Sequence, residues 1–498
     1  MFFFGSDSVV GKFRELYITQ PCLNVYLILY ENSNTFAREV NCQSGLYVYI
    51  LIHFSPFCSV NAPWYTIELF RRNAPMQFKV LTAAEYEAFA LTHPGRYYIN
   101  SSKMLELKRN NGWDVYYTGV IDDNGNILAA AGFSKVPAAR FFHYAYAQRG
   151  ILCDFRNHEL TAFFTAELKK FLKANGMAYL RMDPYIEYQE LNTDGSLTEN
   201  GFCNQDIIDY LGSLGYQHLG FTKNYTADSQ VRYMVVLDLI GKTEKDIEAG
   251  YEPNTRRTIV RAKKFGVEIE ECGPDHLQDF MKLMEFTSEK RHFTDLGEDS
   301  YKAQMEAFGP DCAKVWLAVL DTQKLIQINE NDLQNVLKES EKTAAALEKT
   351  PNNGKMLRRK KEEEERIQQI RKMIHETEEL QKERGERIIL SGAYFVIYDD
   401  EMYYISSGSY DDLRRYCGPY LIQDTAIRLA MERGCRRYNF TGTSGIFTPE
   451  GDDFGVFEFK RKLGGRPIEL LGEFILTADP SMMKKIEGIN KLKHIIHR

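Results

Sequence analysis

The sequence predicts an α/β (α+β) protein built from two similar units, and three observations carry that prediction. From residue 76 onward, aromatic and β-branched strand signals alternate with helical patterns that end at glycines. The order strand, strand, helix, strand occurs twice along the chain. Between two strands of the second unit lies a block of long charged side chains, "NGKMLRRKKEEEERIQQIRKMIHETEELQKERGER" (353–387), unlike anything around it.

The totals bound the answer. At 498 residues, 44% hydrophobic and 26% charged, the chain has room for two or three domains with a sizeable core. A formal net charge of −7 excludes a wholesale polyanion binder, so any phosphate contact has to be a local basic patch. The nine cysteines include no CxxC pair, and none joins histidines at zinc spacing. They read as reduced thiols of a cytosolic protein, with no metal site expected.

The first 75 residues look foreign to the rest. Their apolar runs "LNVYLILY" (23–30) and "LYVYILIHF" (46–54) are too short to span a bilayer and lack the flanks of a signal peptide. The dipeptide Arg71-Arg72 can be encoded by a ribosome-binding sequence shortly before Met76. Met76 is therefore the expected start, with 1–75 a non-native or disordered extension; a membrane-associated N-terminal segment is the alternative.

After Met76 each element has a local reason. "QFKV" reads as a strand, and Thr82 with Glu85 forms a capping box for the next helix. "DVYYTGVID" and "GNILAAAGFSKV" are strands joined by the turn "DDNG". "NHELTAFFTAELKKFLKANG" (157–176) is an amphipathic helix ending at a glycine, and "MAYLRMDP" (177–184) is a buried strand stopped by proline. In the second half, "NTRRTIVRAKKFG" (254–266) is a basic helix and "PDHLQDFMKLMEFTSEKR" another. "AKVWLAVLD" (313–321) and "AYFVIYDDEMYYISSGS" (393–409) are strands that become neighbours once the charged block is removed. "YLIQDTAIRLAMERGC" (420–435) is a helix and "RRYNFTG" (436–442) the strand after it.

The block itself carries a seam. Leu333, Leu337, Ser340, Ala344 and Leu347 recur at 4-3-4-3 spacing, and Ile367, Ile370 and Ile374 continue it beyond the turn "TPNNG". Residues 324–390 are thus expected to form an antiparallel coiled-coil hairpin projecting from the second unit. Most of its charges read as a solvated helix face; Arg358, Arg359 and Lys360, near the tip, are the candidates for phosphate.

The final stretch points to a family. "SSGSYDDLRRYCGPYLIQDTAIRLAMERGCRRYNFTGTSGIF" (406–447) followed by "DDFGVFEFKRKLGGRPIELLGEF" (452–474) resembles the Fem-type aminoacyltransferases of the FemA/FemB/FemX and MurM group. "NTRRTIVRAKKFGVEIE" (254–270) and "YYINSSKMLELKRNNGW" (97–113) also fit, so the resemblance covers essentially 76–498. It implies two GNAT-like domains: 76–240, then 241–323 and 391–498 with a C-terminal return to the first domain, and the arm 324–390 inserted in the second. It also implies an activity. An amino acid (Gly, Ala or Ser) would pass from aminoacyl-tRNA to the stem-peptide lysine of a peptidoglycan precursor, lipid II or UDP-MurNAc-pentapeptide. No cofactor is expected beyond the aminoacyl-tRNA co-substrate. The expected location is the cytoplasm, with peripheral contact at the inner membrane face.

Aminolysis of an ester needs positive charge or N–H donors at the tetrahedral oxygen, and alignment of two substrates. Lys460, after a glycine-led strand and in the family's "FK" element, is the expected oxyanion partner, aimed by an extended aromatic segment. Read without the family, it is one of three surface cations with Arg461 and Lys462. Asp183, at the end of a buried strand, could orient or deprotonate the amine, or merely cap a turn. Lys108 and Arg291 are candidates for acceptor phosphates, although "KRHFTDLGEDSY" departs from the family spacing near Arg291. Tyr301, Tyr404 and Tyr420 are candidate groove residues, against the commoner fate of core packing. Arg256, Arg257 and Arg261 suit phosphates of tRNA or lipid. Asn439 and Asp453 read as shaping the backbone. Two rivals remain: an acetyl-CoA-dependent N-acyltransferase, for which no good Q/R-x-x-G-x-G/A loop exists, and a coiled-coil adaptor protein.

Overall fold

The computed structural model describes residues 76–139, 141–225 and 229–489 with their side chains, and in addition the backbone of four strands before them and of the last helix to Ile496. The chain divides into two compact units, residues 1–77 with 122–126, and residues 78–121 with 127–498. In the first, strands Phe13–Gln20, Leu23–Tyr30, Tyr47–Phe54 and Thr66–Glu68 pair antiparallel in sequence order. The rest of 1–75, where the expected extension before Met76 falls, lies outside the described residues.

The second unit holds two sheets. The seven-stranded sheet runs Tyr216–His218, Phe474–Thr477, Met177–Met182, Phe142–Ala147, Ile127–Ala139, Val115–Ile121, Gln77–Val80. The eight-stranded sheet runs Glu187–Gln189, Arg466–Leu470, Tyr233–Asp238, Arg437–Thr443, Glu401–Ser409, Arg387–Tyr398, Ala313–Asp321, Val267–Cys272. Each half of the sequence repeats one device. Antiparallel strands are followed by a helix that returns the chain to a parallel neighbour. Phe142–Ala147 leads through helix His158–Ala174 to Met177–Met182, and Glu401–Ser409 leads through helix Gly418–Glu432 to Arg437–Thr443. The strand order inferred from sequence lacks Phe142–Ala147, and the strand read over 393–409 is a hairpin turning at Asp399, whose φ is 53°.

Packing explains the two helices that flank the larger sheet. Helix Gly418–Glu432 buries Leu421, Ile422, Ala426, Ile427 and Ala430 on one face of the sheet. Helix Gln278–Arg291 buries Phe280, Leu283 and Met284 on the other, beside Tyr301 and Tyr394. Each buried Leu, Ile, Phe or Met among them contributes about 1.5–3 kcal/mol by leaving water.

Between paired strands Ala313–Asp321 and Arg387–Tyr398 the chain makes two long helices, Thr322–Lys349 and Gly354–Arg384. Asp321 caps the first by accepting from Lys324 N at 2.9 Å, and Asn353 caps the second. Val336, Ile367 and Ile370 are buried between them, with Leu333, Leu337 and Ile374 packed alongside. The seam then turns polar: Thr343 donates to Glu363 at 3.0 Å. Val336 was absent from the spacing read in the sequence. Among the described residues no helix is long and apolar enough to cross a membrane.

Candidate active site

The site begins where two parallel strands part. Glu401–Tyr403 pair with Arg437–Asn439, and beyond Asn439 the ladder ends. Opposite Tyr233–Asp238 the register also shifts, leaving Phe440 and Thr441 as a bulge. Thr441 takes φ 60°, a left-handed conformation rare for a β-branched residue. The Asn439 side chain makes it possible by accepting from Thr441 N at 2.8 Å, while the Thr441 hydroxyl donates to Tyr404 O on the departing strand.

A cavity of about 420 Å³ fills the gap. Tyr404, Ile405, Ser406 and Ser407 line it from one strand, and Phe440, Thr441 and Gly442 from the other. Tyr97, Arg149, Tyr225 and Lys460 are among the residues that complete the wall.

Lys460 is the ammonium of this cavity, beside the Arg149 guanidinium. It is only 4% exposed, and its Nζ donates to Gly442 O at 2.6 Å. Burial lowers its pKa to about 8, opposed by the charge of Asp453. Its backbone corrects the expectation from sequence: Lys460 stands in helix Phe454–Lys462, not after an extended strand. The glycine at 455 and the aromatic run suggested a strand. Phe457 and Lys460, three residues apart, are instead the buried face of a helix. Asp453 sits at the N-cap position of that helix and ties it to the strand end. Its carboxylate accepts from Ser444 N at 2.9 Å, the Thr443 hydroxyl at 3.0 Å and Tyr225 OH at 3.0 Å.

Asp183 is 2% exposed and does not line the cavity; its partner Arg149 does. Arg149 Nη1 lies 2.9 Å from Asp183 Oδ2, and Arg149 N donates to Oδ1 at 3.0 Å. Burial holds the carboxyl at about 6, above the usual range, against the pull of Arg149. Arg149 also donates to Val231 O and lies over the Tyr97 ring. Nothing in "AQRGILC" marked Arg149 in advance: an arginine at a strand end is usually exposed.

The other expected residues separate into three groups. Tyr404 lines the cavity, its hydroxyl bonded to Ser407 and its pKa pushed up to about 12 by burial. Tyr301 stands one layer behind, donating to Asp295 at 2.6 Å and touching Ser406 Oγ at 2.9 Å. Lys108 is mostly buried, bonded to Gln148 next to Arg149, with its pKa lowered to about 8. Arg291 is exposed in the last turn of helix Gln278–Arg291. Tyr420 is outside the cavity lining and packs edge-on against Phe459.

The basic helix divides its arginines. Arg256 caps the preceding helix through Glu248, Ala249 and Tyr251 carbonyls, and Arg261 donates to Cys417 Sγ. Arg257 is exposed. On the long helix, Arg358, Arg359 and Lys360 each face a glutamate four residues on: Glu362, Glu363 and Glu364. Among the described residues no cluster of His, Cys, Asp or Glu could hold a metal.

Comparison with known proteins adds the following. The model of the FemAB family matches residues 81–491. Aminoacyltransferase FemA of Staphylococcus aureus (strain bovine RF122 / ET3-1) is 33% identical over 420 residues, covering 84% of this chain and 99% of that protein. FemA of strain N315 has the same identity and coverage. A crystal structure of FemX aligns at TM-score 0.68 with 23% identity, covering 82% of this chain and all of that one, a likeness of fold.

Proposed function

Because the chain belongs to the FemAB family, we propose that it is an aminoacyltransferase that extends the interpeptide bridge of peptidoglycan precursors. The donor is an aminoacyl-tRNA carrying Gly, Ala or Ser. The acceptor is the stem-peptide lysine, or the bridge already begun on it, of lipid II or its nucleotide-linked precursor. The two GNAT-like domains, 76–240 and 241–323 with 391–498, would act on one shared cavity, with the enzyme working at the cytoplasmic face of the membrane.

The observation that carries this reading is the buried ammonium of Lys460, held against Gly442 O in the wall of a cavity between two parted strands. A neutral amine attacks the ester carbonyl. A C–N bond forms, negative charge develops on the carbonyl oxygen, and the bond between the acyl carbon and the ribose oxygen breaks as the amine proton passes to that leaving oxygen. A desolvated cation at the developing oxyanion lowers this barrier more than one in water would. Arg149, oriented by Asp183, is a second fixed cation in the wall and suits an anionic group of either substrate. A base role for Asp183 itself requires that pair to open. Tyr404 and, behind it, Tyr301 shape the groove. Lys108 and Arg291 are assigned to acceptor phosphates, and Tyr420 to the outer groove. Arg256, Arg257 and Arg261, and the coiled-coil arm with Arg358, Arg359 and Lys360, are assigned to tRNA.

The test is purified residues 76–498 with a panel of charged tRNAs and both acceptor forms, read by mass spectrometry. A gain of one aminoacyl residue, lost in Lys460→Met, is expected. No gain with any donor on either acceptor overturns the reading.

A further inference from the structure

The parting of the two strands is held by one side chain. Asn439 is fully buried and uses both ends of its amide. Its Nδ2 donates to Glu401 Oε1 at 2.8 Å and to Tyr185 OH at 3.1 Å, tying the last paired rung. Its Oδ1 accepts from Thr441 N at 2.8 Å, the bond that stabilises the left-handed turn just beyond. One residue further, Gly442 O receives the Lys460 ammonium. Without the Asn439 acceptor, the half-buried Thr441 N loses the partner it has in the turned conformation, and the bulge loses its reason to keep φ at 60°. The direction of the Gly442 carbonyl changes with it.

We propose that Asn439 is a positioning residue for acyl transfer: its amide holds the vertex of the parted strands so that the Gly442 carbonyl places the Lys460 ammonium in the cavity. The link to transfer rests on the function proposed above; the link to Lys460 does not. Glu401, Tyr185 and Asn439 then form one buried unit whose task is geometric. Misplacing a catalytic group by about 1 Å can cost on the order of 100-fold in rate, so the effect should be visible although Asn439 touches no substrate.

Two measurements test it. In the transfer assay, Asn439→Ala should lower kcat by about 10- to 100-fold and leave both KM values within about twofold. Asn439→Ser should recover most of the loss, because its hydroxyl can accept the same i+2 amide. Combined with Lys460→Ala, Asn439→Ala should add no further loss, since both act through one group. Independently of any donor, the Cε resonance of Lys460 is followed in lysine-labelled protein and assigned by its disappearance in Lys460→Met. It should move in Asn439→Ala and return in Asn439→Ser. A Lys460 resonance unmoved in folded Asn439→Ala overturns the proposal, as do losses that multiply in the double variant. If the Ala variant does not fold, Asn439→Cys, which keeps more of the volume but accepts only weakly, takes its place beside Asn439→Ser: a displaced resonance in Cys that returns in Ser is expected, and one unmoved in Cys overturns it. If the wild type transfers nothing, the function fails while the resonance still decides the positioning.

Discussion

The two parallel crossovers of this protein end differently. In the first half, Phe142–Ala147 and Met177–Met182 stay paired to their last residues, and beyond them Arg149 is bound by Asp183 in an ion pair. In the second, Glu401–Ser409 and Arg437–Thr443 part after three rungs, and the space is a cavity with one buried ammonium. The same strand–helix–strand device therefore yields an ion-paired end and an open one. The difference lies in how charge is neutralised. Arg149 meets a carboxylate, whereas Lys460 meets a single carbonyl oxygen.

The largest effect should come from breaking the ion-paired end. Asp183→Ala leaves a buried guanidinium uncompensated and should cost about 3–5 kcal/mol of stability, read by denaturant unfolding. A loss below about 1 kcal/mol would mean that the pair is not holding this end. At the open end, Lys460→Met should lower the transfer rate by about 100- to 1,000-fold. It should not destabilise the fold, since it removes a buried charge. If it instead unfolds the protein like Asp183→Ala, the two ends are alike and the comparison fails.

The pH dependence sharpens the contrast with opposite signs. The Lys460 pKa is lowered from 10.5 to about 8. The unfolded chain therefore binds more protons between these values, and this group's destabilisation is full below about pH 8 and fades as pH rises towards 10.5. The transfer rate should run the other way, falling as pH climbs through about 8 and the ammonium is lost. The stage of the reaction is read by single-turnover rates; a rate flat to pH 9.5 would place the needed charge elsewhere.

The smallest effects belong to the exposed cations of the helical hairpin. Arg359→Ala alone should weaken tRNA binding by less than about threefold, because solvent and Glu363 already screen it. Removing Arg358, Arg359 and Lys360 together should reduce the slope of log affinity against log salt by about 2–3 while leaving Lys460 chemistry intact. An unchanged slope would take the hairpin tip out of the tRNA interface.

The sequence by itself determined the alternation of strands and helices, the helical character of most of 324–390, and the family. Those signals are local: the capping box at Thr82, the turn at 350–354, glycine stops, apolar spacing, and motifs contiguous in the chain. It also singled out Lys460, but with the wrong backbone, because aromatic residues after a glycine suit a strand as well as a buried helix face. Only the tertiary structure decided that Asp183 is spent on Arg149, that Tyr420 stands outside the cavity, and that Gly442 O receives Lys460. The last of these depends on where the parallel strands Glu401–Ser409 and Arg437–Thr443 stop pairing. That point is set by contacts among Asn439, Glu401, Tyr185 and Thr441, residues separated by up to 256 positions, and sequence spacing carries no record of such distances.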